Sequence, residues 1–129
     1  VVKIVAGAFR RCWALQSIDI LGEIDRIDNG TFSGCSSLKN VVIPNSVKYI
    51  GINAFWGCNS LSKVVIPENV TSIGDFAFSN CGSLSGINIP DSVTSVGGCA
   101  FMSCWSLPLS KEEEIISRFG ERAMKETFD

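Results

Sequence analysis

Six cysteines are the most reactive side chains in this 129-residue sequence, and five of them are evenly spaced. Cys12, Cys35, Cys58, Cys81 and Cys104 fall 23 residues apart at every step, with Cys99 outside the series. Thiols can pair as disulfides, bind metal as thiolates, or act as nucleophiles. Nucleophilic thiols need a neighbouring base, and the chain has no histidine. That excludes Ser-His-Asp and Cys-His catalysis from within the chain and removes the commonest metal ligand. In a stack of equivalent units the cysteines would point the same way, so five equivalent sites cannot all pair. Thiolate metal sites converge from C-x-x-C clusters, whereas one sulfur per rung does not converge. The remaining reading is a small, weakly polar side chain packed as a buried free thiol. Cys99 shares its column with Gly7, Gly30, Asn53 and Phe76 and is expected at the periphery, a Cys99–Cys104 pair being the alternative.

Other chemistry is thin. The stretch "SVGGCAF" has neither G-x-x-x-x-G-K nor G-x-G-x-x-G spacing, so phosphate binding has no support. Glu112, Glu113 and Glu114 read as acids at the start of a helix rather than as a catalytic pair. Asn29-Gly30-Thr31 and Asn69-Val70-Thr71 are glycosylation acceptors by pattern, relevant only in a eukaryotic secretory host. An enzyme is therefore not expected, nor any cofactor or metal.

The elements that must position the thiols follow from the same 23-residue step. It is kept by Phe9, Phe32, Phe55, Phe78 and Phe101, and by Leu15, Leu38, Leu61, Leu84 and Leu107. Val1, Ile24, Val47, Val70 and Val93 open each unit, and Pro44, Pro67 and Pro90 recur after an isoleucine. Each unit reads roughly V-x-x-I-G-x-x-A-F-x-x-C-x-S-L-x-x-V-x-I-P. The L-x-x-V-x-I-P part carries period-two alternation and so a strand, ended by a proline that cannot donate to a ladder. The V-x-x-I-G arm is a candidate second strand. Gly34, Gly57 and Asn80 suit a left-handed backbone, which predicts one tight α or 3₁₀ turn over A-F-x-x-C. A unit this small cannot bury its own apolar face. Stacking does so, with strands in parallel about 4.8 Å apart and right-handed crossovers.

At these residues the chain resembles the BspA-type leucine-rich repeats, whose pattern is close to "IPENVTSIGDFAFSNCGSLSGINIP" at 66–90 and "IPDSVTSVGGCAFMSCWSL" at 89–107. The resemblance covers residues 1–107 and fades where Leu21 replaces the proline and Asp28 the glycine. It implies a repeat solenoid of leucine-rich-repeat type, with a parallel β-sheet on one face and short helical turns on the other. Residues 1–109 would form about five coils. It also implies a surface or secreted protein of the kind associated with adhesion to host or matrix proteins.

After Leu107 the period gives way to "SKEEEIISRFGERAMKETFD", an amphipathic helix expected over 110–129 and packing as a cap. Ser110 and Glu113 have capping-box spacing. Glu114–Arg118 and Glu121–Lys125 are favourable i,i+4 pairs, and Ile115, Ile116, Phe119 and Ala123 form the apolar face. A docking helix for a partner is the alternative. At the other end Val1 to Phe9 enter the repeat directly. Either the chain is a piece of a longer array, or another chain covers that end, as in a homodimer through the N-terminal coil.

Net charge is −2 from 11 basic and 13 acidic residues, with no basic stripe, so nucleic acid is not an expected partner. No apolar run approaches the roughly 20 residues of a membrane span. What the fold would offer is a surface. Outward columns of the sheet hold Ser17, Asn40, Lys63 and Gly86, then Asp19, Val42, Val65 and Asn88. The candidate contact residues are Asp19, Asn40, Val42, Lys63, Val65 and Asn88, for a protein or glycan ligand at an extracellular or cell-surface location. Tyr49, Trp13, Trp56 and Trp105 lie in variable columns and are expected to shield corners or end coils, with anchoring of a partner the alternative. A spacer or intracellular scaffold is the competing function.

Overall fold

A computed structural model describes residues 4–20 and 22–126. Val1 and Leu21, which entered the repeat argument above, lie outside the described residues. The chain is a parallel-strand solenoid with two columns of strands, a turn-built side and one C-terminal α-helix among the described residues. One column uses the L-x-x-V-x-I-P strands: β1 (Ser17–Asp19), β3 (Asn40–Val42), β5 (Lys63–Val65) and β7 (Gly86–Asn88). The other uses the V-x-x-I-G arms: β2 (Arg26–Ile27), β4 (Tyr49–Ile50), β6 (Ser72–Ile73) and β8 (Ser95–Val96).

The arm sheet is the continuous one, running β2-β4-β6-β8 in parallel. Its register sets Ile27 beside Ile50, Ile73 and Val96, a shift of one repeat per strand. The longer strands form two pairs instead, β1-β3 and β5-β7, and β3 lies alongside β5 without ladder bonds.

Like side chains meet their own kind. Phe32, Phe55, Phe78 and Phe101 are fully buried. Successive rings from Phe9 to Phe101 stack with centroids 5.2–5.6 Å apart and planes within 12° of parallel. Each stacked pair adds about 0.5–1.5 kcal/mol to the burial of its rings. Leu38, Leu61 and Leu84, with Ile50 and Val70, complete one continuous core.

The A-F-x-x-C segment corrects the expected helical turn. It is a chain of turns in which alternate N–H groups bond in two directions. Ala54 and Trp56 N–H donate within the turn, to Gly51 O and Asn53 O at 3.2 and 3.1 Å. Asn53, Phe55 and Gly57 N–H donate across to the next coil, to Asp75, Ala77 and Ser79 carbonyls at 2.8–3.0 Å. The alternation requires left-handed residues at both ends of the segment. One column is Arg11, Gly34, Gly57, Asn80 and Ser103, as the sequence suggests. The other is Gly7, Gly30, Asn53, Phe76 and Cys99. A helix would direct every N–H along its own axis and leave neighbouring coils unbonded here.

The repeated glycine of the arm has a separate cause. A Cβ on Gly74 would lie 2.7 Å from the Ile52 nitrogen, and one on Gly51 would lie 2.7 Å from the Asn29 nitrogen. Coils approach backbone to backbone there, and only hydrogen fits.

The tail packs against the Phe101 coil. Helix α1 spans Leu109–Phe119 and begins from Pro108 with no side-chain cap. Ser110 therefore sits inside the first turn, and the expected Ser110–Glu113 capping box does not form. Gly120 ends α1 at φ 87°, and a 3₁₀ turn, Glu121–Ala123, follows. Ile115 and Ala123 are buried, and Phe119 packs on the core. Ile116 is 39% exposed, so it does not belong to the buried face. Arg118 caps β7's outgoing chain by donating to Ile89 O and, at 2.9 Å, Pro90 O. The pairs Glu114–Arg118 and Glu121–Lys125 form at 3.3 and 3.5 Å.

The 23-residue register also returns in the tail: Gly120, Ala123 and Met124 follow Gly97, Ala100 and Phe101 at that step. Phe101 N–H donates to Ala123 O at 2.8 Å, as Phe78 N–H does to Ala100 O. The tail thus offers the last coil the carbonyls a further coil would have supplied.

Candidate binding surface

The cysteine column is a set of inter-coil donors. Cys35, Cys58, Cys81 and Cys104 Sγ donate to the carbonyls of Phe9, Phe32, Phe55 and Phe78 at 3.0–3.2 Å. The Phe32 and Phe55 carbonyls also accept an N–H from their own turn, so both lone pairs are used. Burial pushes the Cys58 and Cys104 thiols up to about 12, and the Cys81 thiol well above its ordinary 9.0. They stay protonated and keep donating. All six cysteines are free. Cys99 is not peripheral as expected: it is only 5% exposed, and its N–H donates to Arg122 O at 2.6 Å beneath the tail. Its thiol too is raised, by burial first and then by the carboxylates of Glu126 and Asp75.

The repeated serines work the same way. Ser60 and Ser106 hydroxyls donate to Ser36 O and Gly82 O at 2.7 Å, and Ser46 donates to Ile24 O at 2.6 Å. The recurring polar positions join coils. Of the two glycosylation triplets, Asn69 Nδ2 donates to Asn45 O at 2.7 Å, and Asn29 Oδ1 accepts from Ile52 N–H at 2.9 Å.

On the longer-strand side, Asp19, Asn40, Val42, Lys63, Val65 and Asn88 are all exposed. Parallel register sets Asp19 beside Val42, and Val65 beside Asn88. Val42 and Val65 are 57% and 60% exposed. Asn88 is partly engaged: its Oδ1 accepts from Ile66 N–H at 2.9 Å and its Nδ2 donates to Ile66 O at 3.2 Å, closing the end of β5. A hollow of about 530 Å³ beside it is lined by Glu68, Asn88, Pro90, Asp91 and Ser92. The arrangement suits contact over an area.

The aromatics divide. Tyr49 lies on β4, with the Arg26 guanidinium 5.9 Å from its ring centre. Trp13 and Trp105 are 68% and 83% exposed and shield little, and Trp56 is 40% exposed. Trp13 and Trp56 wall a groove of about 490 Å³ on the turn side, away from the sheet columns. Sequence reasoning missed this groove. The available signal was that Trp13 and Trp56 are large aromatics in columns that vary from coil to coil.

Among the described residues, no helix is long and apolar enough to cross a membrane, and no group of three or more acidic or cysteine side chains could hold a metal ion.

A search of curated proteins found no match. Among solved structures, a leucine-rich repeat protein from Bacteroides ovatus shares 32% identity at TM-score 0.74, over 93% of this chain and 38% of that one. This chain therefore spans well under half the length of that protein. A Treponema pallidum leucine-rich repeat protein matches at 21% identity and TM-score 0.48, over 91% of this chain and 76% of that one. A leucine-rich cell surface protein from Faecalibacterium prausnitzii matches at 26% and 0.42, over 78% and 42%. The model of the BspA type leucine-rich repeat region matches residues 1–127 in six copies. With the 23-residue register running through stacked phenylalanines and into the tail, the chain belongs to the BspA-type leucine-rich repeat family.

Proposed function

We propose that this chain is a non-catalytic binding module of a surface or secreted protein. Its contact face comprises Asp19, Asn40, Val42, Lys63, Val65 and Asn88, for a protein or glycan ligand such as a host or matrix component. The observation that carries the reading is the pair of exposed valines, Val42 and Val65, in the centre of an otherwise polar face. Apolar side chains fixed on a rigid strand lose little entropy when a partner covers them, and polar neighbours add orientation. The surface or secreted setting rests on family membership.

The test is a capture screen against matrix proteins and glycans, repeated with the Val42→Lys/Val65→Lys double variant. Loss of binding, by about tenfold or more, supports the face. Unchanged binding moves the site elsewhere.

A self-assembling scaffold is the second reading. Its support is the stacked architecture itself, in which each coil already buries its apolar face against a copy of the same unit. Sedimentation of a monomer at high concentration would count against it.

A further inference from the structure

We propose that the turn side carries a second binding site, for an acidic oligosaccharide, in the groove between Trp13 and Trp56. Four successive repeat units contribute to it: Arg11 and Trp13, then Gly34 and Ser36, then Trp56, Gly57 and Asn59, then Asn80. An adjoining hollow of about 420 Å³ shares Arg11, Gly34 and Trp56 and adds Arg10, Ser33 and Asn53. The site lies off the sheet columns and does not rest on the contact face proposed above.

The shape comes from two glycines. Gly34 and Gly57, both left-handed at φ 75° and 72°, leave the groove floor without side chains. A Cβ on Gly34 would meet Arg11 Cγ at 3.2 Å, so the glycine leaves room for the arginine stem over the floor. The two indoles rise beside that floor, 68% and 40% exposed. A flat bed with aromatic walls accepts the apolar face of a pyranose ring, which stacks on indole through its C–H groups.

The polar chemistry selects the ligand class. Asn53 and Asn80 amides and Ser33 and Ser36 hydroxyls offer donors and acceptors suited to vicinal hydroxyls, and Asn59, whose amide nitrogen donates to Asn80 O and Gly57 O at 2.8 and 3.1 Å, adds its oxygen as an acceptor. Arg10 and Arg11 add two cations, and neither joins an ion pair among the described residues. No carboxylate lines either hollow among those residues, although the whole chain carries net charge −2. The local charge therefore complements an anionic group, a carboxylate or a sulfate.

A peptide strand fits less well. The backbone N–H groups of Arg11, Gly34, Gly57 and Asn80 already donate to Ser33, Trp56, Ser79 and Met102 carbonyls at 2.7–2.9 Å. No main-chain ladder is left for a peptide to extend, so recognition falls to side chains and rings.

The test is isothermal titration and tryptophan fluorescence with heparin-derived, chondroitin sulfate and oligogalacturonate hexasaccharides. Cellohexaose and a hexaglutamate peptide serve as comparators. At least one acidic hexasaccharide should bind with Kd below about 1 mM and perturb the indole emission. Trp13→Ala and Trp56→Ala should each weaken it by about tenfold or more, and Arg11→Asn should weaken it and reduce its salt dependence. Asn keeps the left-handed backbone that Asn80 adopts in the same column. Trp105→Ala and the Val42→Lys/Val65→Lys variant should bind as the parent does. If Trp56→Ala fails to fold, the more exposed Trp13→Ala supplies the readout. The proposal is overturned if no acidic hexasaccharide binds, if binding ignores Trp13 and Trp56, or if cellohexaose or hexaglutamate binds equally well.

Discussion

A cysteine placed 26 residues after a phenylalanine looks like a reactive group in sequence and is a hydrogen-bond donor in the fold. Two predictions belong to this scale. Thiol titration of the folded protein should leave Cys35, Cys58, Cys81 and Cys104 unreactive, because they are buried and protonated, whereas the unfolded, unreduced chain should count six. A count of two or fewer in the unfolded state would mean disulfides. The second concerns pH. The folded-state pKa values of Cys58 and Cys104, about 12, lie above the ordinary 9.0, so protonation favours the folded state. Their contribution is complete below about 9 and is lost as pH rises from there through about 12, since the unfolded chain ionises first. Urea midpoints should be level between pH 7 and 8 and fall above 9. A Cys58→Ala/Cys81→Ala variant should start lower and fall less steeply. Equal slopes would remove the thiols from the explanation.

At the scale of elements, each coil is too short to be stable alone and is held by what crosses to the next. Phe55 lies between Phe32 and Phe78, so Phe55→Ala opens a gap in the middle of the stack and should cost about 3–5 kcal/mol. Gly74→Ala tests the close backbone approach. Its Cβ would press on the Ile52 nitrogen, and a loss of about 1–3 kcal/mol is expected in chemical denaturation. A neutral result would show that neighbouring arms can separate without consequence. Arg118→Met keeps much of the side-chain stem while removing the donors to Ile89 O and Pro90 O. A loss of about 1.5–3 kcal/mol is expected, because hydrogen bonds from a cation to partly buried carbonyls are among the stronger ones. Of these features, the phenylalanine column could be read from spacing alone. The alternating turn could not, since i→i+3 turns and a helical turn place Phe and Cys on the same face, and only the inter-coil bonds distinguish them.

For the whole molecule, stability is a sum over neighbouring coils, and the ends matter most. The tail gives the last coil the Arg122 and Ala123 carbonyls and covers it with Ile115 and Phe119. We propose that it acts as a cap. Removing residues 110–129 should leave the Phe101 coil bare and produce concentration-dependent aggregation in light scattering. A soluble, monomeric core of unchanged melting temperature would recast α1 as a docking element. The two exposed faces are likewise separable only in the assembled molecule. Val42 and Val65 come from one side of the coil and Trp13 and Trp56 from another, so variants on one face should leave binding at the other intact.

The 23-residue spacing by itself determined the solenoid, the apolar columns, the strand positions and the free-thiol reading. A unit that cannot bury its own Phe, Leu and Ile has no alternative to stacking. The tertiary structure alone decided which N–H groups cross between coils, that Asn53, Phe76 and Cys99 adopt left-handed backbone, and that α1 starts at Leu109 without the Ser110 cap. It also decided the groove. Trp13 and Trp56 are 43 positions apart in sequence, and only coiling sets them around the same glycine floor. Periodicity reports what each coil shares with the next, whereas a site is built from residues that differ between coils and become neighbours only once the chain has wound.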